Sequence, residues 1–174
     1  GKIFSNISNE QAFQMYRIGS AYGQIDCIYQ YGLFLVEGDE LNQIKAGIEL
    51  LSRIANEGHT KANYALGQLF ENHGQINESF QYYKKAAEKG HIKSLHKYCS
   101  YLKRIAKLMK QDDKKFLKYL KKACDKGDLK SIYLYATNII ETNPEEGIKY
   151  GKIAAYNGII EAISFYATIL IEGL

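Results

Sequence analysis

The side chains able to do chemistry in this 174-residue chain are few. Four histidines (His59, His73, His91, His96) and three cysteines (Cys27, Cys99, Cys124) are the candidates for proton transfer, nucleophilic attack or metal ligation. His96 and Cys99 are three residues apart, which on a helix puts an imidazole base and a thiol on one face. Nothing else supports that pair as a catalytic dyad. No HExxH, GxSxG, P-loop or dinucleotide fingerprint occurs. The cysteines form no CxxC pair, and an odd count does not suggest a disulfide framework. Unpaired thiols suit a reducing compartment such as the cytoplasm. The residues therefore point to no catalytic site, no metal and no cofactor. The other available chemistry is cationic. Residues 91–127 hold twelve Lys/Arg against three acids, a net of +9, whereas the remainder carries −5. Lys103, Arg104, Lys107 and Lys110 recur at helical spacing, as do Lys114, Lys115, Lys118, Lys121, Lys122 and Lys126. Such a stripe suits phosphates or an acidic partner, with strong salt dependence. No aromatic-rich reading surface or known nucleic-acid motif accompanies it, so a solvated face or a docking patch for an acidic domain competes with nucleic acid.

The elements that must position these residues follow from composition and a repeat. With 46% hydrophobic residues the chain can bury a core, and one proline with no sustained β-branched alternation argues for an all-α protein. Fifteen glycines then belong at helix ends or close helix crossings. The decapeptide YYKKAAEKGH at 82–91 has a near copy, YGKIAAYNGI, at 150–159. Aligned on the glycine, five copies appear, ending at Gly23, Gly58, Gly90, Gly127 and Gly158, at intervals of 35, 32, 37 and 31 residues. A period in this range is the mark of a helical solenoid.

Before each glycine, large residues stand seven, eight and ten positions upstream, except that the last copy has Gly151 in the first of these places, and a small pair stands three and four upstream, a stripe of helical period. After it, small residues recur four and nine positions on (Cys27, Ala62, Ser94, Ser131, Ala162; then Gly32, Gly67, Cys99, Ala136, Ala167). Large residues recur eight and twelve positions on. Small residues at fixed places let helix backbones approach while the large ones fill the groove beside them. Each unit is thus a helix A, a turn, a helix B and a glycine stop. Cys27, Cys99 and Cys124 fall in the packed columns, so burial outweighs catalysis for each. Asn143 before Pro144, Asn77, and Asp112 or Asp113 are expected N-caps, and the 37-residue copy is expected to lengthen its A helix. The repeats read as 9–23 (second helix only), 24–58, 59–90, 91–127, 128–158 and 159–174 (first helix only), one continuous array over 1–174. A lone A helix at one end and a lone B helix at the other lead us to expect a segment of a longer repeat protein. The sequons at Asn6 and Asn77 decide nothing about compartment.

The pattern resembles the Sel-one-like repeat, a relative of the tetratricopeptide repeat, best in ANYALGQLFENHGQINESFQYYKKAAEKG at 62–90. The resemblance spans about residues 9–172. It weakens at 91–127, where Cys99 replaces the usual glycine. It implies a right-handed α-α superhelix of antiparallel helix pairs and a non-catalytic protein-interaction scaffold or adaptor. In related solenoids the A helices line the concave face. Three positions after each glycine that face holds Asp26, Lys61, Lys93, Lys130 and Glu161. Six after, it holds Tyr29, Tyr64, His96, Tyr133 and Ser164. Ten after, it holds Leu33, Gln68, Ser100, Thr137 and Thr168. A lysine rung beside an aromatic or imidazole rung and a hydroxyl or amide rung suits an extended peptide with acidic side chains or a free carboxylate. The opposing expectation is that the lysines are solvated and the tyrosines pack on neighbouring repeats.

Overall fold

The structure, a computed structural model, describes residues 2–109 and 114–173. Those residues form ten helices and no strand. The B helices are α1 (Lys2–Ala21), α3 (Leu41–Asn56), α5 (Ile76–Glu88), α7 (Lys114–Cys124) and α9 (Pro144–Tyr156). The A helices are α2 (Ile25–Val36), α4 (Thr60–Asn72), α6 (Ile92–Met109), α8 (Leu129–Ile139) and α10 (Ile160–Glu172). No helix among the described residues is long and apolar enough to cross a membrane.

Each B helix ends by the same device. At Gly58 the backbone turns to φ +94°, the Gly58 N–H donates to the Ala55 carbonyl and the His59 N–H to the Ile54 carbonyl. The same pair of bonds recurs at Gly23, Gly90, Gly127 and Gly158, all with positive φ. A left-handed residue lets the chain reverse while its own N–H groups satisfy the last carbonyls of the helix, and only glycine does so without strain.

The chain divides by packing into two compact units, Gly1–Lys85 and Ala86–Leu174, with the boundary inside α5. The first has a core of Ile28, Leu51, Ile54, Ala55, Ala62 and Leu66. There Gly67 lies directly under the Tyr83 ring and Gly32 under Leu51. The second has Cys124, Ile132, Ala154 and Ala162 at its centre, with Tyr98 and Tyr119 meeting edge to face at 4.7 Å.

Four local features bear on the sequence reading, the length of α6 and the Asn143 cap as expected, the start of α1 and of α5 not. The first helix does not break near residue 9 but continues back to Lys2. Helix α6 runs for 18 residues, the extra length of its repeat. Asn143 caps α9, its side chain accepting the Glu146 N–H and donating to the Glu146 carboxylate in return, with Pro144 in the first turn. Asn77 does not cap α5. Gly74 ends α4 so tightly, with Gln75 N–H bonded to the Phe70 carbonyl, that α5 already begins at Ile76. Asp112, Asp113 and Lys110 lie outside the described residues.

Candidate interaction surface

The A-helix face is built from equivalent positions one repeat apart. Lys61 in the first unit and Lys93 and Lys130 in the second are exposed. Among the described residues no hydrogen bond or ion pair engages Lys93 or Lys130. An ammonium left without a partner on a helix face is available to an outside anion.

The rung six after each glycine is not a free surface. In the first unit the Tyr29 ring packs on His59, at the start of the next A helix, with centroids 5.2 Å apart, and its burial pushes the hydroxyl pKa up. Tyr64 lies 5.8 Å from Tyr83 of its own B helix. In the second unit Tyr133 meets Phe165 of α10 edge-on at 6.1 Å. His96 reaches from α6 to the start of α8, its Nε2 2.7 Å from Asp128 Oδ2 and 2.9 Å from Ser131 Oγ. Tyr29, Tyr133 and His96 thus clasp one repeat to the next, Tyr64 ties its own repeat together, and all four remain half-exposed. The rung ten after is also partly used. The Ser100 hydroxyl donates to the His96 carbonyl and the Thr137 hydroxyl to the Leu134 carbonyl, which leaves their oxygen lone pairs but spends their protons. Gln68 is exposed.

Asp128 is the hub of the α6–α8 clasp. Its carboxylate caps α8 by accepting the Ser131 N–H at 2.7 Å. Burial alone would raise its pKa, but bonds from the Ser131 hydroxyl and amide and from His96 outweigh burial and hold it below the ordinary value. An ionised carboxylate only accepts, so His96 donates to it from Nε2. The trio of Ser, His and Asp is not a nucleophilic triad. Serine and aspartate meet the same imidazole nitrogen, whereas proton relay needs them on opposite ones.

Two further caps escaped the sequence reading. His59 Nδ1 accepts the Ala62 N–H at 3.2 Å, and His91 Nδ1 accepts the Ser94 N–H at 3.3 Å. An imidazole lone pair here does the work usually left to Asp or Ser. Burial lowers the His59 pKa, with nearby Lys61 adding to the effect and Asp26 opposing it. The readable sign was position: His59, His91 and Asp128 each directly follow a stop glycine.

The basic stripe of residues 91–127 is divided. Lys121 points inward, its ammonium paired with Glu146 at 2.5 Å, donating to the Tyr150 hydroxyl and lying over the rings of Tyr150 and Tyr135 at 4.1 and 4.8 Å. Burial alone would lower its pKa, but the Glu146 and Tyr150 bonds outweigh burial and raise it. Lys122 lies over Tyr119, Lys103 over Phe116 and Arg104 over Tyr101, each at about 5.5 Å, and Lys103 also donates to Asn138. Lys107, Lys114 and Lys118 are exposed. Several of these cations are thus engaged by ring faces of their own repeat, and Lys121 by the rings and carboxylate of the next one.

Cys99 does not join His96 as a nucleophile. It is buried, burial pushes its thiol pKa up to about 12, and Nε2 of His96 is engaged by Asp128 and Ser131. Cys124 is likewise buried, and burial is the main cause that pushes its thiol up to about 12. Cys27 packs on Gly19, where any Cβ would meet its Sγ. Among the described residues no group of three His, Cys, Asp or Glu side chains could hold a metal ion.

A family model described as the Sel1 repeat matches residues 15–59, 60–91, 93–128 and 131–159. The fold is similar to that of a Sel1 repeat protein from Oxalobacter formigenes, with a TM-score of 0.77 at 19% identity over 97% of this chain and 73% of that one. It is also similar to c5321, a protective antigen of uropathogenic Escherichia coli strains displaying an SLR fold, with a TM-score of 0.69 at 16% identity over 92% of this chain. This chain spans 36% of the length of c5321. No curated protein matches the chain by sequence.

Proposed function

This chain belongs to the Sel1 repeat family, and from that premise we propose that it acts as a non-catalytic scaffold whose A-helix face receives an extended, acidic segment of a protein partner. Sel1 repeat proteins are generally protein–protein interaction scaffolds. The observation that carries the finer reading is the pair Lys93 and Lys130. They are exposed and unpaired among the described residues, at equivalent positions of α6 and α8, while neighbouring cations such as Lys121 are engaged. Beside them stand half-buried His96 and the hydroxyl oxygens of Ser100 and Thr137, which keep lone pairs, so carboxylates of a ligand would meet the lysines and its backbone N–H groups the hydroxyl acceptors. In the first unit Lys61, Tyr64 and Gln68, with Tyr29, form the corresponding set. A peptide array tests this reading. Matched peptides ending in a free carboxylate or an amide, with acidic or neutral interiors, are probed with the chain and with Lys93→Ala/Lys130→Ala. The reading expects acidic or carboxylate-ended peptides to be retained and the double variant to lose them. Retention indifferent to ligand charge overturns it.

A further inference from the structure

We propose that a hollow between helices α2 and α3 receives a tyrosine side chain of a protein partner, at the place where three other repeats hold a ring of their own. In each of those repeats the B helix carries a tyrosine eight residues before its stop glycine, and the tyrosine meets its own A helix. In the first unit Tyr82 of α5 stacks on Phe70 with centroids 5.4 Å apart. In the second, Tyr119 of α7 meets Tyr98 at 4.7 Å and Tyr150 of α9 meets Tyr135 at 5.2 Å. Each of the three rings also lies under an ammonium. Lys85 is 5.4 Å from the Tyr82 centroid, Lys122 5.5 Å from that of Tyr119 and Lys121 4.1 Å from that of Tyr150. A ring laid on the A helix with a cation over its face is thus the filling this seam takes.

In the repeat of α2 and α3 the seam and the cation are present and the B-helix ring is not. Leu50 stands in the tyrosine's place, eight residues before Gly58, and Arg53 stands five before it, as Lys85 and Lys122 stand before Gly90 and Gly127. Beside Leu50 opens a hollow of about 440 Å³, lined by Tyr31 and Leu35 of α2 and by Ala46, Glu49, Leu50 and Arg53 of α3. A cavity of roughly 150 Å³ already holds a benzene ring, so a phenol has room. Leu35 is buried and Tyr31 and Leu50 are half-buried, which gives an apolar floor. Ala46, Glu49 and Arg53 form an exposed rim, so a ring can enter while the backbone that carries it stays outside. Among the described residues no hydrogen bond, ion pair or ring contact engages the side chains of Glu49 or Arg53. A guanidinium with no ring beneath it and a carboxylate with no donor select an aromatic group that ends in a hydroxyl. Arg53 then covers the ring and Glu49 accepts the phenol proton. The hollow uses no residue of the lysine rung, and the inference does not depend on the acidic-peptide reading.

Backbone amide shifts of the isotope-labelled chain, titrated with N-acetyltyrosinamide, read the outcome. Shifts should gather on α2 and α3 around the hollow. N-acetylphenylalaninamide, which has no proton for Glu49, should bind more weakly, and N-acetylleucinamide should produce no shifts there. Arg53→Gln should weaken the tyrosine probe about two- to five-fold, the worth of a cation over a ring at an exposed site. Leu50→Tyr supplies the ring from the chain itself and should abolish binding. Ala46→Leu closes the hollow from its rim and should do the same by an independent route, and a wild-type helical spectrum checks the fold of each variant. Absence of shifts around the hollow up to the solubility of the tyrosine probe overturns the proposal. So does equal binding of the phenylalanine or leucine probe, or undiminished binding by a folded Leu50→Tyr or Ala46→Leu. Tighter binding of free tyrosine than of its blocked form would make the ligand the amino acid itself, and overturns the assignment to a partner's side chain.

Discussion

Replacing Gly67 by leucine puts four carbons where the structure leaves room for none. A Cβ built on Gly67 lies 2.7 Å from both Cδ1 and Cε1 of Tyr83 and 3.2 Å from its Cγ. Comfortable carbon contacts begin near 3.5 Å, so ring or helix must move by roughly 1 Å. The ring has little freedom to do so. Tyr83 is fully buried, its hydroxyl donates to Glu71 at 2.7 Å, and Tyr64 lies 5.8 Å from its centroid. Overpacking of this kind costs about 1–3 kcal/mol. Helix propensity acts in the other direction, because removing a mid-helix glycine gains about 0.8–1 kcal/mol. With four carbons to place, leucine falls in the upper part of the overpacking range, about 2–3 kcal/mol, and the net loss is about 1–2 kcal/mol. For Gly67→Ala the two effects nearly balance. At roughly 2–4 °C per kcal/mol for a chain of this length, Gly67→Leu should lower Tm by about 2–8 °C in a far-ultraviolet circular dichroism melt. Shortening the facing ring should restore part of the loss, so Tyr83→Leu and Gly67→Leu should be less than additive. A Tm that is unchanged or raised, as propensity alone would give, refutes the close approach of these helices.

Three other outcomes follow from side-chain partnerships. His59 has a folded pKa below its ordinary 6.5, so the unfolded chain takes up the proton first as pH falls. The stability from its cap is present above 6.5 and is lost as pH drops from there through the lowered folded value. A urea midpoint that falls between pH 7.5 and 5.5, and falls less in His59→Asp, checks this. Asp128→Ala removes a cap and the anchor of His96 together and should cost about 1–3 kcal/mol by urea unfolding. The stability that its lowered pKa contributes is present above the ordinary 3.8 and disappears as pH falls through the folded value. Lys121→Ala should cost about 1–2 kcal/mol through its lost ring and carboxylate contacts, whereas exposed Lys118→Ala should stay within about 0.5 kcal/mol. Equal effects from the two would mean that Lys121 is merely part of a solvated stripe.

The repeat was legible because its signs are local and periodic. A glycine forced to positive φ, a small pair before it and small or large residues at fixed offsets after it reveal helix ends and packed columns from the chain alone. Cys99 and Cys124 could be assigned to those columns for the same reason. Cap chemistry was less visible. Histidine is not a usual N-cap, so His59 and His91 were placed by position without their hydrogen bonds. The start of α5 depended on how tightly Gly74 closes α4, which residue type alone does not say. The A-helix face was the least legible part. Its columns could be read singly, but His96 with Asp128, Tyr29 with His59 and Tyr133 with Phe165 join different positions about one repeat apart. A reading by columns cannot see bonds that run diagonally between them. The same applies to Lys121, whose spacing puts it in a basic stripe while Glu146, Tyr135 and Tyr150 draw it inward.

The central claim is that partner binding uses the unpaired lysines of the A helices and not the basic stripe of the third repeat. The most direct measurement is the affinity of one acidic peptide, chosen from the array, for Lys93→Ala/Lys130→Ala and for Lys114→Ala/Lys118→Ala at two salt concentrations. Each exposed charge contact contributes roughly 0.2–1 kcal/mol, so the first variant should bind about two- to thirty-fold more weakly, and the second should match wild type. Loss of binding in the second variant with full retention in the first, together with a steep fall as salt rises, would contradict the account and transfer the binding site to the B-helix stripe.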